Sequence, residues 1–250
     1  MNLAGKSVLI TGGRRVGSEL AMMLAERGAN IALTYHTSRE TIEATAERVR
    51  ALGVKALTIE ADLSQAARAE AAVSNTVRMF ERVDILVNMA SIYTRTPFAT
   101  LQSSDFDAMI AANLAAPYHV AVAAGKQMLT QSSDGGVQGK IINIGDWATD
   151  RPYRDYLPYL VAKGALKTFT LALARELAPG VAVNLIQPAM IDPPPGLTAE
   201  EKGAILAETP LQRIGTPEDV NRLILYLLEG TDFVTATSFH VDGGRFLGPD

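Results

Sequence analysis

The sequence predicts one α/β domain over residues 1–250, with a doubly wound parallel sheet. Its 250 residues fit one large domain of this class. Short apolar runs alternate with longer amphipathic stretches along the chain, which indicates that strands alternate with helices. The apolar runs are continuous, as in strands whose two faces are both covered. These observations favour a sheet with helices on both faces.

The alternation assigns the elements in chain order. We expect strands at 7–11, 30–35, 54–59, 84–87, 140–144, 181–186 and 238–241, and helices at 18–27, 38–52, 65–80, 103–129 and 156–177. Gly28 and Gly53 follow the first two helices, where glycine is typical of a helix end. Consecutive prolines within residues 191–200 exclude regular structure there. We therefore expect a substrate loop around 190–210, at the ligand-binding edge of the sheet.

Composition excludes several classes of function. The net charge of −4, without a basic run, argues against nucleic-acid binding. The chain has no cysteine, which excludes disulfides, thiolate nucleophiles and cysteine-ligated metals. His36, His119 and His240 are scattered and give no metal-ligand spacing. The start of the chain shows no leader pattern, and we find no apolar stretch of about 18 residues. We expect a soluble, cytoplasmic protein that binds neither a membrane nor a metal.

The segment after the first strand predicts a phosphate-binding turn. Gly12, Gly13 and Gly17 allow a tight strand-to-helix turn, whose backbone N–H groups and helix N-terminus attract a pyrophosphate. Arg14 and Arg15 favour an anion there, since adjacent cations repel each other without one. The alternative is a glycine-rich turn without a ligand.

The end of the second strand favours NADPH over NADH. A carboxylate at this place usually holds the ribose 2′-OH, whereas basic or small polar residues leave room for a 2′-phosphate. The first carboxylate comes only at Glu40. The residues before it are Tyr35, His36, Thr37 and Ser38. His36 has an alternative interpretation as a half-buried turn residue.

A tyrosine and a lysine share one helix face. Among the tyrosines of segment 153–159, only Tyr159 is followed four residues later by a lysine, Lys163. The ammonium is expected to lower the tyrosine pKa, which suits a phenol that donates a proton as hydride arrives. An amphipathic helix with no catalytic role gives the same pattern.

Taken together, these motifs resemble the short-chain dehydrogenase/reductase family over essentially the whole chain. They occur in the family's order: TGGRRVG (11–17), Asp62-Leu63, NMAS (88–91), Asn113, YLVAK (159–163), Pro188-Ala189 and VDGG (241–244). The resemblance implies a Rossmann-type fold of about seven parallel strands and a homotetramer. Its packing helices are expected at 103–129 and 156–177.

The resemblance also implies roles for individual residues. Tyr159 is the expected proton donor, Lys163 binds the nicotinamide ribose, and Asn113 holds a relay water. The expected cofactor-binding residues are Thr11, Gly12, Gly13, Arg14, Arg15, Val16, Gly17, Tyr35, His36, Thr37, Ser38, Asp62, Leu63, Asn88, Ala90, Ser91, Pro188, Ala189, Met190 and Ile191.

One departure from the family pattern narrows the expected chemistry. Asp146 stands where most members have a serine that donates to a substrate carbonyl, and an ionised carboxylate cannot donate. The pteridine reductase branch has this aspartate and a similar basic pair in its glycine loop. It places an aromatic ring at Tyr93, where a pterin stacks, and Trp147 completes the expected substrate site. Alternatively, Asp146 caps a loop, Trp147 belongs to the core, and Tyr93 is an apolar wall.

Three hypotheses for function remain open at this point. The first is an NADPH-dependent reductase of a pterin or folate-like ring, with Asp146, Asn113, Tyr159 and Lys163 as the catalytic set. The second is an NADPH-dependent reductase of a carbonyl, such as a 3-oxoacyl thioester or a sugar ketone. The third is a non-catalytic dinucleotide sensor.

Three smaller departures from the family pattern also stand out. Met89 replaces a second asparagine, and Ala189 replaces a glycine. The glycine loop is one residue shorter than usual between Gly12 and Gly17. We expect Gly12 and Gly13 to make the turn, Gly17 to start the helix, and the arginines to face the adenosine phosphate.

Overall fold

A computed structural model describes residues 1–12, 14–133, 135–191, 193 and 198–248. Its centre is a seven-stranded sheet in the order β3-β2-β1-β4-β5-β6-β7, with every neighbouring pair parallel. The strands are β1 Ser7–Thr11, β2 Asn30–Tyr35, β3 Ala56–Glu60, β4 Ile85–Asn88, β5 Gly139–Ile144, β6 Val181–Pro188 and β7 Ser238–Val241. The predicted fold class is confirmed.

Helices cover both faces of this sheet. They are α1 Val16–Ala25, α2 Arg39–Ala51, α3 Ala66–Phe80, α4 Ser103–Ile110, α5 Ala116–Leu129, α6 Leu157–Leu177, α7 Ala199–Ala207 and α8 Pro217–Leu225. One apolar core lies between the sheet and α1, α2 and α8, and a second lies between the sheet and α3, α5 and α6. Burial of both sheet faces explains why the strand sequences are continuously apolar.

The strand order places a ligand site at one edge of the sheet. The chain runs outward from β1 through β2 to β3, and then crosses back to β4 on the other side of β1. The carboxyl ends of β1 and β4 therefore diverge into loops on opposite faces, which leaves a crevice at this reversal point. The glycine turn follows β1, and the segment NMAS (88–91) begins at the last residue of β4.

The structure corrects two element predictions. The helix predicted over 103–129 is interrupted at Ala111–Ala115 by a π-helical turn that joins α4 to α5. The substrate loop predicted around 190–210 contains α7, because alanine, glutamate, lysine and leucine after the prolines are strong helix formers. Helix α8 was not predicted. Residues 192 and 194–197 of the predicted loop lie outside the described residues.

The helix over Ser103–Leu129 is long and apolar enough to span a membrane by length and composition, contrary to our expectation of no such stretch. It is, however, a packed helix of the α/β fold. It lies against α3 and α6, and Val120, Ala121 and Ala124 are fully buried in the second core. This packing explains the apolar side chains on its buried face.

Candidate active site

A cleft of about 1430 Å³ opens at the carboxyl ends of the central strands. One end is lined by Arg14, Arg15 and His36, and the other by Asp146 and Tyr159. The predicted residues that line it are Gly12, Arg14, Arg15, Val16, Tyr35, His36, Thr37, Ser38, Asp62, Leu63, Ala90, Ser91, Tyr93, Asp146, Trp147, Tyr159, Lys163, Pro188, Ala189, Met190 and Ile191. The structure thus brings together motifs that are spread over 180 residues.

The glycine turn approaches β4 closely. Gly12 has φ +70°, and a Cβ atom on it would lie 2.6 Å from the Cα of Ala90. A Cβ on Gly17 would lie 2.8 Å from the sulfur of Met89. Gly12 therefore requires glycine, because its neighbour is backbone and its φ is positive, whereas the flexible Met89 side chain could move away from a Cβ at Gly17. Gly13 falls outside the described residues, so its predicted part in the turn stays a prediction.

The backbone is strained at Arg15, in the shortened loop. This residue precedes α1 with φ 46° and ψ −106°, and its side chain does not cap the helix. Positive φ at a non-glycine residue costs on the order of 1–3 kcal/mol and is often found at functional sites. Helix α1 begins at Val16, one residue before Gly17, which we had expected to start it. Arg14 and Arg15 are both exposed at the mouth of the cleft.

Thr11 and Asn88 lie behind the cleft rather than in its lining. The Thr11 hydroxyl accepts from the backbone N–H groups of Met89 and Ala90, at 3.2 and 3.3 Å. Asn88 is buried and donates from Nδ2 to the side-chain oxygen of Asn143 at 2.9 Å. These bonds tie together the ends of β1, β4 and β5. Both residues position the loop after β4, and their predicted part in cofactor binding stays a prediction.

The end of β2 carries no carboxylate into the cleft. His36 and Thr37 are exposed and line it, so the alternative of a half-buried histidine is wrong. Asp62, which follows β3, lines the same region, but its carboxylate accepts from the Ser64 hydroxyl at 2.7 Å and from Gln65. The hydrogen bond from Ser64 keeps the pKa of Asp62 below its usual value.

The end of the cleft lined by Asp146 and Tyr159 contains three neighbouring ionisable side chains, the third of which is Lys163. We call it the reacting end. The Tyr159 hydroxyl donates to Oδ2 of Asp146 at 2.7 Å. Lys163 donates from Nζ to the backbone oxygen of Ile144 at 2.8 Å, and the same Nζ lies 5.8 Å from the centre of the Tyr159 ring. Tyr159 and Lys163 are buried on one face of α6. Residues i and i+4 therefore share this face as predicted.

Burial shifts the titration of all three groups. It lowers the pKa of Lys163 to about 8 and raises that of Asp146. The pKa of Tyr159 lies well above 10, because the phenol is buried and the neighbouring carboxylate opposes a phenolate. We had expected Lys163 to lower the tyrosine pKa. This expectation is wrong for the protein as described, since burial and Asp146 dominate over the lysine.

Asp146 has two contacts at once. Its Oδ1 accepts from the backbone N–H of Ala148 at 2.9 Å and caps a 3₁₀ turn over Trp147–Thr149, as the alternative interpretation held. Its Oδ2 binds Tyr159. The side chain of Gln187, on β6, holds the Asp146 backbone oxygen at 3.0 Å. The carboxylate is therefore fixed in orientation, with one oxygen for the fold and one for the tyrosine.

Four aromatic rings line the cleft beside this set. Tyr93 stacks on Tyr156 with ring centres 4.4 Å apart, and its edge meets Tyr159 at 5.0 Å. The Tyr153 hydroxyl donates to that of Tyr93 at 3.1 Å. Tyr93 remains 54% exposed, so its ring offers a face to a ligand. Sequence reasoning did not identify Tyr153 and Tyr156 as site residues.

Trp147 is buried and also lines the cleft, so the core and substrate-site interpretations both describe it. Arg245, which follows β7, lies over its ring at 5.0 Å and lines the cleft as well. We did not predict Arg245. The signal was present in the sequence, as an arginine directly after VDGG (241–244) in a chain whose other motifs belong to the site.

Asn113 lies in the π-helical turn and is fully buried. Its side chain accepts from the Ser91 hydroxyl at 2.6 Å and donates to the backbone oxygen of Ile92 at 3.0 Å. It therefore fastens the segment that carries Tyr93. Single π turns are frequent at functional sites. The predicted relay water of Asn113 stays a prediction.

Comparisons with known proteins place this geometry in a family. A family model described as enoyl-(acyl carrier protein) reductase matches residues 13–245. The 3-oxoacyl-(acyl-carrier-protein) reductase FabG of Staphylococcus aureus is 32% identical over 247 residues, with 97% of this chain and 98% of that protein covered. A 3-oxoacyl-(acyl-carrier-protein) reductase of Synechocystis is 33% identical, with 98% of each covered.

Solved structures of other proteins resemble this chain over nearly its full length. A short-chain dehydrogenase/reductase of Serratia marcescens superposes with a TM-score of 0.89 at 31% identity, with 98% of this chain and 100% of that chain covered. A putative oxidoreductase of Escherichia coli K-12 gives 0.85 at 30% identity, with 97% and 98% covered. Family model, relatives and structures all match nearly the full length. The chain is therefore an oxidoreductase that belongs to the short-chain dehydrogenase/reductase family.

Proposed function

We propose that the protein is an NADPH-dependent reductase that transfers hydride to a C=N bond of a pterin or folate-like ring. Tyr159 is the proton donor in this proposal, with Asp146 and Lys163 beside it. The observation that carries the proposal is the 2.7 Å hydrogen bond from Tyr159 to Asp146, at a position where a carbonyl reductase would offer a hydroxyl donor.

The carboxylate changes what the site can do chemically. A serine donates a hydrogen bond to a carbonyl oxygen and so stabilises the developing negative charge. An ionised carboxylate would repel that charge. Burial raises the pKa of Asp146 and favours its protonated form, which can instead return a proton to Tyr159 after the phenol has given its own to a ring nitrogen; Asp146 is then reprotonated from solvent. Reduction of a C=N bond needs this proton at nitrogen and a hydride at carbon.

The aromatic rings support a flat substrate. The ring of Tyr93 lies 5.0 Å from that of Tyr159 and stacks on Tyr156 at 4.4 Å, and Tyr93 is 54% exposed. Tyr153 meets Tyr156 at 5.1 Å. A planar heteroaromatic ring gains from stacking on an exposed aromatic face, and its N–H edges complement a carboxylate acceptor. A flexible acyl chain has no use for a stacking surface of this kind.

The other end of the cleft fits the dinucleotide. The N-terminus of α1 would hold the pyrophosphate, the Arg14–Arg15 pair would face the 2′-phosphate of the adenosine, and the end of β2 would lie beside the adenosine ribose. His36 and Thr37 in place of a carboxylate support a 2′-phosphate there. Lys163 would bind the nicotinamide ribose. When bound, the cofactor supplies a hydride.

A second candidate function is reduction of a 3-oxoacyl thioester. The names of the S. aureus and Synechocystis relatives support this candidate more than they support a pterin. In that case a protonated Asp146 would donate a hydrogen bond directly to the substrate carbonyl oxygen and would not relay a proton to Tyr159, since a protonated carboxyl is a donor and its pKa is raised. The two candidates share the cofactor, Tyr159 and Lys163, and differ in the role of Asp146.

The test is NADPH oxidation followed spectrophotometrically with dihydrobiopterin, dihydrofolate and an acetoacetyl thioester offered in parallel. We expect turnover of a pterin or folate and slower turnover of the thioester. Turnover of the thioester alone would replace the first proposal by the second. NADPH binding without turnover of any substrate would favour a non-catalytic dinucleotide sensor.

We also propose that the protein acts in the cytoplasm as a homotetramer. The helices over 103–129 and 157–177 leave large apolar side chains exposed, which an interface would cover. These side chains are Phe106, Tyr118, Leu129, Leu157, Val161 and Leu171. Light scattering coupled to size-exclusion chromatography tests the proposal, and a mass of one chain would reject it.

A further inference from the structure

The backbone at Arg245 is held in place by hydrogen bonds, beside the end of the cleft that contains Asp146 and Trp147. Arg245 begins a 3₁₀ turn after β7, where Gly243 and Gly244 both adopt positive φ. The Asp242 carboxylate accepts from the backbone N–H groups of Gly244 and Phe246, at 3.0 and 2.9 Å. Arg151 donates to the backbone oxygen of Arg245 at 3.1 Å. The backbone at Arg245 is thus fixed before any ligand arrives.

The guanidinium of Arg245 lies between two cavities. It covers the ring of Trp147 at 5.0 Å and lines both the main cleft and a neighbouring cavity of about 330 Å³ beside α7. One N–H group donates to Glu208, just after α7, at 2.9 Å. The side chain of Arg245 is only 14% exposed. A substrate that fills the cleft beside Trp147 therefore meets this guanidinium.

The hydrogen bonding of Arg245 differs from that of the surface arginines. Arg95, Arg213 and Arg222 each direct two N–H groups to one carboxylate. Arg245 uses one terminal N–H for Glu208, and its Nε is buried without a hydrogen-bond partner in the described part of the chain. A buried donor without an acceptor opposes folding. This arrangement costs stability, and it leaves the guanidinium with a donor that an acceptor on a ligand can satisfy.

The surroundings of Arg245 complement those of Asp146. The carboxylate of Asp146 can only accept hydrogen bonds when ionised, whereas a guanidinium can only donate. The positive charge of Arg245 is close enough to help lower the pKa of Asp146 against the effect of burial. Trp147, the residue after Asp146, lies beneath the guanidinium. The site therefore offers an acceptor and a donor on either side of an aromatic wall.

We propose that Arg245 is a specificity-determining residue that binds an acceptor oxygen of the substrate, which for a pterin or folate ring is the ring carbonyl oxygen. This inference rests on the proposed function for the identity of the ring. The guanidinium turns from Glu208 towards the ligand and gains an acceptor for its unpaired N–H groups. Rings that carry an amino group in place of the carbonyl present donors to it and are bound weakly.

The test compares two ligands and four variants, each with NADPH or NADP⁺ present. The ligands are dihydrobiopterin and a 2,4-diamino dihydropteridine, which lacks the ring carbonyl. The variants are Arg245→Met, Arg245→Lys, Glu208→Gln and the surface control Arg222→Met. Dissociation constants follow from the fluorescence of Trp147, the single tryptophan of the chain, and KM and kcat follow from NADPH oxidation.

We expect Arg245→Met to raise the Kd and KM for dihydrobiopterin roughly 10- to 100-fold, the value of one charge-assisted hydrogen bond, with a smaller change in kcat. The diamino ligand should change by less than about threefold. Arg245→Lys should restore part of the preference, and Glu208→Gln and Arg222→Met should keep it. Equal losses for both ligands, or no loss for either, would overturn the proposal.

Failure of the proposed function is a separate outcome. If the wild type reduces an acetoacetyl thioester and no pterin, the ring assignment is wrong, and the same variants are then measured on the thioester. If the KM for the thioester rises at least about tenfold in Arg245→Met and in none of the control variants, Arg245 is retained as the residue that binds the substrate oxygen. An unchanged KM would overturn that role too.

Discussion

The two ends of the cleft are built in different ways. The cofactor end consists of backbone at Gly12, exposed cations at Arg14 and Arg15, and His36 at the end of β2. The reacting end consists of buried side chains, Asp146 and Tyr159 among them, with shifted pKa values. The cofactor end is open, and its shape depends on how closely the loop after β1 approaches the loop after β4. The reacting end is closed and is set by hydrogen bonds between side chains.

This difference predicts how each end responds to substitution. Substitutions at the cofactor end should change the affinity for the dinucleotide, because they alter the space between the loops or the positive charge there. Changes at the reacting end should act on turnover and its pH dependence, through proton transfer. Substitutions at each end test this separation between cofactor affinity and turnover.

The largest effect is expected for Tyr159→Phe. It removes the hydroxyl that donates to Asp146 and leaves the ring in place. General acid catalysis contributes about 10²- to 10⁴-fold, so kcat should fall by that factor. Isothermal titration should show NADPH affinity changed by less than about threefold, because the cofactor end is untouched. Loss of NADPH binding would contradict the division between the two ends.

Gly12→Ala should follow in size. A Cβ would lie 2.6 Å from the Cα of Ala90, and φ is +70°. We expect NADPH affinity to fall by about 10²-fold, since the loops must separate by several tenths of an ångström and strain adds to the clash. Titration calorimetry measures this loss. Gly53→Ala is the matched control, with φ +86° and open space around it; if it weakens NADPH equally, contact with Ala90 is not the cause.

Arg15→Ala should weaken NADPH by about tenfold more than NADH, the value of one charge-assisted contact with a 2′-phosphate. Fluorescence titration with both cofactors measures the ratio. Arg27→Ala, at an arginine paired with Glu229 beyond the other end of α1, is the control. Equal weakening of NADPH and NADH by Arg15→Ala would move this side chain away from the 2′-phosphate.

The smallest effect is on the pH profile. Burial holds the pKa of Lys163 to about 8, so its ammonium is charged below that pH and neutral above it. If the charge supports the transfer of the Tyr159 proton, kcat/KM should fall to about half its plateau near pH 8 and decline further above it. In Lys163→Met this alkaline limb should disappear from the residual activity. A wild-type profile that stays flat to pH 10 would exclude a role for the charge.

Much of the fold was predictable because it depends on local patterns. Continuous apolar runs marked all seven strands, and β1, β2 and β7 have the predicted bounds. The π turn over Ala111–Ala115 was missed because the local sequence reads as one continuous helix, whereas the contacts of Asn113 in this turn are with the distant loop after β4. Helix α7 was missed because three prolines dominated the interpretation of its neighbourhood.

The candidate site was predictable where one motif carries it and unpredictable where the fold assembles it. Gly12, Arg15, Tyr159 and Lys163 stand in short motifs, and all four line the cleft. Arg245 reaches Trp147 only because β7 lies at the end of the sheet order, next to β6. The direction of the tyrosine pKa was also beyond the sequence, since it depends on how deeply the phenol is buried.

The central claim is that Asp146 sets the class of substrate. The most direct measurement is the ratio of kcat/KM for dihydrobiopterin to that for an acetoacetyl thioester, in the wild type, Asp146→Asn and Asp146→Ser. We predict that Asp146→Ser lowers the ratio at least about 100-fold, since it removes the proton relay and supplies a hydroxyl donor. Asp146→Asn keeps the shape of the side chain but cannot relay a proton. It should lose turnover of dihydrobiopterin and keep turnover of the thioester. A ratio that is the same in all three proteins would contradict the account.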